Sequence, residues 1–224
     1  MPFKANGLYT KTYKEYIGYH LDLPRVEREL KKRWDYAYKW GRKQSNEWDR
    51  MTSFIYTTYS VNALLRKSGH LSQELRDYAL NRWYNYWSAM AAEDIFASHS
   101  RVTPHKNIYD KLVDFKIDEI PFDHKTSIFP KGFSHSYDYA KEHEDELIWW
   151  LYANQSQEGR KHFGNRLFII MYDSQDFEHW KMKAEIMLMK QQIESYMHRF
   201  EKSNLKKIVL DNKEILSDII WVVR

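Results

Sequence analysis

Apolar residues recur every three or four positions from residue 72 onward. Leu75, Ala79, Trp83, Tyr86 and Met90 fall on one side of a helical projection, predicting a helix from Ser72 to about Ala97. Two earlier stretches show the same period. "DLPRVERELKKRWDYAYKWG" has Asp22 as N-cap, Pro24 in its first turn and Gly41 as a stop, and a second helix is expected from Ser45 to Gly69. Past residue 110 the period drops to two, so residues 111–128 are predicted to form a β-hairpin. A short helix is expected from about Ala140 to Ala153, and "NRLFIIMYD" reads as a buried strand. "DFEHWKMKAEIMLMKQQIESYMHRFEK" predicts a long amphipathic helix, with Met182, Ile186, Met189, Ile193, Tyr196 and Phe200 as its core stripe. "DIIWVVR" is the last predicted strand.

From residue 72, with the short helix set aside, the order is helix, strand, strand, strand, helix, strand. A mixed order of this kind argues for an α/β layer rather than an all-helical bundle. Residues 1–70 then form an α-helical N-terminal extension and residues 71–224 the α/β core.

The hairpin carries the candidate chemistry. If Asp118 and Glu119 make a two-residue turn, Ile117 pairs with Ile120, Phe115 with Phe122 and Val113 with His124, and that face is apolar. On the other face Asp114 stands opposite Asp123, with Lys125 two residues along. Like charges directly across a ladder are destabilising. Two readings fit: a solvated face, or a divalent cation held between the two carboxylates with Lys125 beside it to orient water and stabilise charge on a phosphate. His124 falls on the apolar face and reads as a core residue.

Composition narrows the classes. The 224 residues are 43% hydrophobic and 17% aromatic, with 7 Gly, 5 Pro and no Cys. That describes a folded globular chain with neither disulfides nor thiolate zinc sites, in keeping with a reducing cytoplasm. The opening "MPFKANGLYTKTYKEY" has no apolar signal core, and "LIWWLY" and "RLFIIMY" are too short to span a bilayer, so no membrane partner is expected. Net charge is +4, which permits an anionic polymer as partner without establishing one. Glycine fingerprints, a P-loop, G-x-S-x-G and HExxH are all absent.

Asp114 followed by Asp123-His124-Lys125 resembles the D…(D/E)-x-K signature of the PD-(D/E)XK nuclease superfamily, the restriction-endonuclease-like fold. Val113 stands where the signature's name has proline. The family core is similar to αβββαβ, the order predicted above, and many members carry a Glu on the first core helix. Glu93 in "AMAAEDIF" is the matching residue here, with Asp94 as a substitute. The resemblance implies a mixed sheet flanked by helices and hydrolysis of DNA phosphodiesters with Mg²⁺ or Mn²⁺, in restriction or phage defence. Asp114, Asp123 and Glu93 would hold the metal, and Lys125 would be catalytic.

"NQSQEGRKHFGNRLF" brings Gln155, Gln157, Arg160, Lys161, His162 and Arg166 ahead of a strand. With Lys131, Arg160, Lys161 and Arg166 are the residues expected to contact DNA phosphates. The aromatics Tyr9, Tyr13, Tyr16, Tyr19, Trp34, Tyr36, Tyr38 and Trp40 suit core packing, base stacking or a homodimer interface. The rival class is a binding module on the same fold that does not cut.

Overall fold

Asp22 opens the first helix as expected: its carboxylate accepts the Arg25 amide at 3.0 Å. In the computed structural model, which describes residues 20–39, 45–105, 112–154 and 163–224, that helix (α1, Leu23–Lys31) passes into a 3₁₀ turn over Lys32–Asp35 rather than continuing to Gly41. The predicted helix over 45–69 is two helices, α2 (Asn46–Met51) and α3 (Val61–Ser68), joined by a 3₁₀ turn at Ser53–Thr57. The cause is the run of hydroxyls between them. Thr52 and Thr58 donate to the Trp48 and Phe54 carbonyls at 2.7 and 2.6 Å, in competition with helical amides, and Ser60 then caps α3.

Ser72 caps α4 (Gln73–Ala97), whose amide at Leu75 reaches the Ser72 hydroxyl at 3.3 Å. Of its predicted buried side, Leu75, Ala79, Trp83 and Met90 are buried and Tyr86 is half-buried. Trp83 and Trp87 both give their indole N–H to the Thr58 carbonyl, at 2.7 and 3.0 Å. Trp34 reaches the Tyr84 hydroxyl at 3.2 Å, which is core packing. Tyr9, Tyr13, Tyr16, Tyr19 and Trp40 lie outside the described residues.

Strands β1 (Val102–Pro104), β2 (Phe115–Ile117) and β3 (Ile120–Ile128) follow, then α5 (Tyr137–Glu142), α6 (Glu144–Ala153), β4 (Arg166–Tyr172), α7 (Ile186–His198), β5 (Lys206–Leu210) and β6 (Lys213–Val223). Among the described residues the sheet is six-stranded and mixed, in the order β1-β2-β3-β4-β6-β5, with β3, β4 and β6 mutually parallel. The fold is therefore α/β with a mixed sheet flanked by helices. β1 and β5 are additions to the sequence reading, and the long predicted helix after β4 is a 3₁₀ turn at His179–Ala184 followed by α7.

Two compact units make up the chain. Residues 1–94 with 183–187 form the first and residues 95–182 with 188–224 the second. This differs from a boundary at residue 70 in keeping most of α4 with the N-terminal segment. The sheet belongs to the second unit. On one sheet face, Leu147, Ile148, Leu151 and Tyr152 of α6 pack on Phe168, Ile170, Ile219 and Trp221. On the other, Phe96 at the end of α4 stacks on Phe115 at 4.5 Å, and Tyr196 of α7 donates to Asp218 of β6 at 3.0 Å. Among the described residues, no helix is long and apolar enough to cross a membrane.

Candidate functional site

The hairpin forms in the expected register. Ile117 pairs with Ile120 and Phe115 with Phe122, and Asp118 and Glu119 both take left-handed backbone conformations, φ 45° and 66°. That is the double positive-φ turn whose twist suits a two-residue hairpin. Pro121, with no N–H to offer, leaves its carbonyl to the Asn165 side-chain amide at 3.0 Å.

The register ends at Asp114. The ladder would next require the His124 amide to meet the carbonyl of residue 113. Instead that amide donates to Asp114 Oδ2 at 2.9 Å, and the His124 Nδ1 lies 2.8 Å from the same oxygen. The Asp114 amide in turn reaches the Phe122 carbonyl at 2.8 Å. A side-chain carboxylate has replaced a main-chain acceptor, and the strand pair opens there. His124, half-sandwiched on Phe115 with ring centroids 6.0 Å apart, is buried as predicted, and its partner is the acid.

Asp123 turns the other way. In the parallel ladder Asp123, Arg166 and Ser217 lie abreast, and so do His124, Leu167 and Asp218. Successive strand residues project to opposite faces. Asp123 and Lys125 therefore share the α6 face, while His124 and the Asp114 carboxylate that grips it are on the α4–α7 face. The expectation that Asp114 and Asp123 share one face is corrected, and the reason is electrostatic. Each acid has found its own partner, so the like charges need no ion between them. Asp123 Oδ2 takes Arg166 Nε at 2.7 Å, and its Oδ1 takes Lys125 Nζ at 3.0 Å.

Arg166 is corrected too. It was expected on a DNA-facing rim, yet it is 3% exposed, with its guanidinium 5.4 Å from the Tyr152 ring centroid and 5.8 Å from that of Phe168. Lys131 is exposed in the turn after β3. Arg160, Lys161, Gln155, Gln157 and His162 lie outside the described residues.

Electrostatics mark Asp114. Burial pushes its carboxyl up, but the ring hydrogen bond of His124, the charge on that ring, the His124 amide and the Lys125 ammonium outweigh it and hold it well below the usual carboxylate range. Asp114 is thus a carboxylate at any physiological pH, within the field of the exposed Lys125.

Asp114 and His124 offer a carboxylate oxygen and a ring nitrogen of the kind that could serve a metal ion. Both belong to the second unit, whereas Glu93, on α4, belongs to the first. Asp94 is committed elsewhere, accepting the Leu21 amide at 3.0 Å. The sequence reading placed His124 in the core and so missed it as a metal-competent group. The signal available was its position next to the second acid of the signature.

No family model, no curated protein and no solved structure matches the chain.

Proposed function

We propose that this protein is a metal-dependent phosphodiester hydrolase acting on DNA, with Mg²⁺ or Mn²⁺ as cofactor. The observation that carries the reading is the opening of β2 from β3 at Asp114, which presents a carboxylate held by His124 at one strand end. The order of elements supports it. Residues 73–172 run α4, β1, β2, β3, α6, β4, with the short α5 ahead of α6, one step earlier along the chain than the sequence alone suggested. Asp114 immediately precedes β2 and Asp123-His124-Lys125 lies on β3, so the signature spans this hairpin, which is in keeping with the resemblance to PD-(D/E)XK nucleases.

In this reading Asp114 holds the ion and the His124 ring fixes the Asp114 carboxylate. A carboxylate oxygen suits either Mg²⁺ or Mn²⁺. When bound, the ion supplies Lewis acidity to a phosphoryl oxygen and lowers the pKa of its water. Lys125, 52% exposed in its side chain, swings from Asp123 to the scissile phosphate. Asp123 keeps Lys125 on this strand end and is itself anchored by Arg166.

That anchoring also favours a second reading, a DNA-binding module that does not cut, because an acid tied to a buried arginine is a poor metal ligand. One experiment separates the two. Pure protein is incubated with supercoiled plasmid and Mg²⁺, Mn²⁺ or chelator. Nicking only with metal, lost in Asp114→Ala together with the metal-dependent rise in melting temperature, is the expected outcome. DNA retention without cleavage under either metal establishes the second reading.

A further inference from the structure

A groove of about 540 Å³ opens between α6, the 133–135 turn and strand β5, all within the second unit. It has no part in the site at Asp114. Phe133, His135, Trp149 and Trp150 line it, and Asp145 and Glu146 stand on its α6 side. Trp149 is 56% exposed, and Val209 on β5 is 69% exposed. Large apolar side chains left in water beside a concave surface mark a contact site more often than chance exposure does.

The rings are held in place. Phe133 meets Trp150 edge-on at 6.1 Å and His135 at 5.3 Å, and His135 stacks on Tyr139 at 4.2 Å. Trp150 lies against Gly132, where an added Cβ would come within 2.9 Å of the indole. The glycine lets the ring rest on the backbone.

Charge decides what fits. Asp145 is exposed and, among the described residues, makes no ion pair. Glu146 accepts the Tyr139 hydroxyl at 3.1 Å. The lysine lining the groove, Lys207, has its ammonium 3.7 Å from Glu214 across the β5–β6 hairpin. Aromatic faces flanked by carboxylates attract an organic cation and repel phosphate.

Among the described residues the groove also runs along an open sheet edge, since β5 pairs with β6 and ends the strand order. Asp211 and Asn212 form its turn with φ 51° and 61°, a two-residue hairpin closed by Leu210 and Lys213. In such a hairpin the closing pair exchanges both bonds, so Leu210, Ile208 and Lys206 bond inward and Lys207 and Val209 aim their main-chain groups outward. An extended chain can add to an edge of this kind.

We propose that this groove binds an extended segment of a partner protein, whose main chain adds to β5 at Lys207 and Val209 while a lysine or arginine side chain enters the aromatic box. Trp149 and Trp150 take the aliphatic stem, and Asp145 and Glu146 take the charge. Single-stranded nucleic acid also stacks on aromatics, but the two carboxylates oppose its phosphates.

The test titrates the full-length protein, by calorimetry, with a capped seven-residue peptide of alternating valine and lysine. Trp149→Ala, Asp145→Asn and a norleucine-for-lysine peptide are each expected to weaken binding roughly tenfold, the loss that removing one cation–aromatic or charge contact brings. Val209→Pro deletes an outward N–H while sparing the β5–β6 ladder, and it weakens the peptide in the same way. Melting temperatures of the variants distinguish lost contacts from lost folding. Equal binding of the norleucine peptide overturns the cation site. Tetramethylammonium binding as tightly as the peptide, or no effect of Val209→Pro, overturns strand addition. An oligothymidylate that binds where the peptide does not overturns both.

Discussion

Replacing Arg166 with methionine keeps most of the stem that packs under Tyr152 and Phe168 and removes the charge from Asp123. The Asp123 carboxylate is 3% exposed, so it cannot regain hydration without local unfolding. Breaking a buried ion pair from one side costs about 3–5 kcal/mol. Lys125 remains on Oδ1 at 3.0 Å, but its half-exposed ammonium offsets only about 0–1 kcal/mol of that. About 3 kcal/mol is therefore expected. With a urea slope of about 2–3 kcal/mol/M, the midpoint should fall by roughly 1–1.5 M. Tryptophan fluorescence and far-ultraviolet dichroism should be followed together, because coincident curves justify the two-state free energy. Asp123→Leu alone should cost a similar amount by stranding Arg166. The double variant should recover most of it, with a coupling of about 2 kcal/mol or more. If Arg166→Met shifts the midpoint by less than 0.2 M, roughly 0.5 kcal/mol at that slope, and DNA affinity falls instead, the buried-anchor argument is wrong and Arg166 belongs on a binding rim.

Lys125→Met should slow metal-dependent cleavage roughly 10²–10³-fold with little change in DNA affinity, as read by single-turnover nicking and filter binding; an unchanged rate removes Lys125 from the chemistry. Asp173 is buried, and although burial raises its carboxyl, the Arg224 guanidinium and the Gln175 and Asp176 amides hold it below its ordinary value. A depressed carboxyl stabilises above its unfolded pKa of about 4 and loses that contribution as pH falls through the folded value. Asp173→Asn should thus cost about 1–2 kcal/mol at pH 7, and the gap from wild type should close below about pH 4 in melting-temperature profiles. Gly132→Ala should cost about 1–2 kcal/mol by pushing the Trp150 indole off the backbone, visible as a changed near-ultraviolet dichroism signal.

Features decided by local chemistry were readable in the chain. Asp22, Ser45 and Ser72 each cap a helix, because a short oxygen-bearing side chain reaches amides two or three residues on, whereas the break that lets Ser60 start a separate helix was not read. The β2–β3 register was readable although Asp118-Glu119 is a weak turn pair, because four large apolar residues must share one face. The second hairpin was missed even though Asp211-Asn212 tolerates the left-handed region well; the alternation flanking it was masked by lysines. β1 is three residues long, too short to show a period. The candidate site fell on the far side of this line. Whether Arg166 faces solvent or Asp123 depends on a partner 43 residues away, and no window of sequence holds both. Likewise, only the opening of the strand pair at Asp114 turns its carboxylate to His124.

The parallel core of the sheet bears on how the chain reaches this fold. Both hairpins close between residues near in sequence, and such closures take roughly microseconds. β3 meets β4, and β4 meets β6, only across separations of 43 and 51 residues, so the chain must forfeit much more entropy before those contacts return anything. The Asp123–Arg166 pair bridges one of these late seams. It can contribute only after the seam has shut, which makes it a lock on the native state rather than a guide toward it. Arg166→Met should accordingly hasten unfolding and leave the folding arm of a chevron almost where it was.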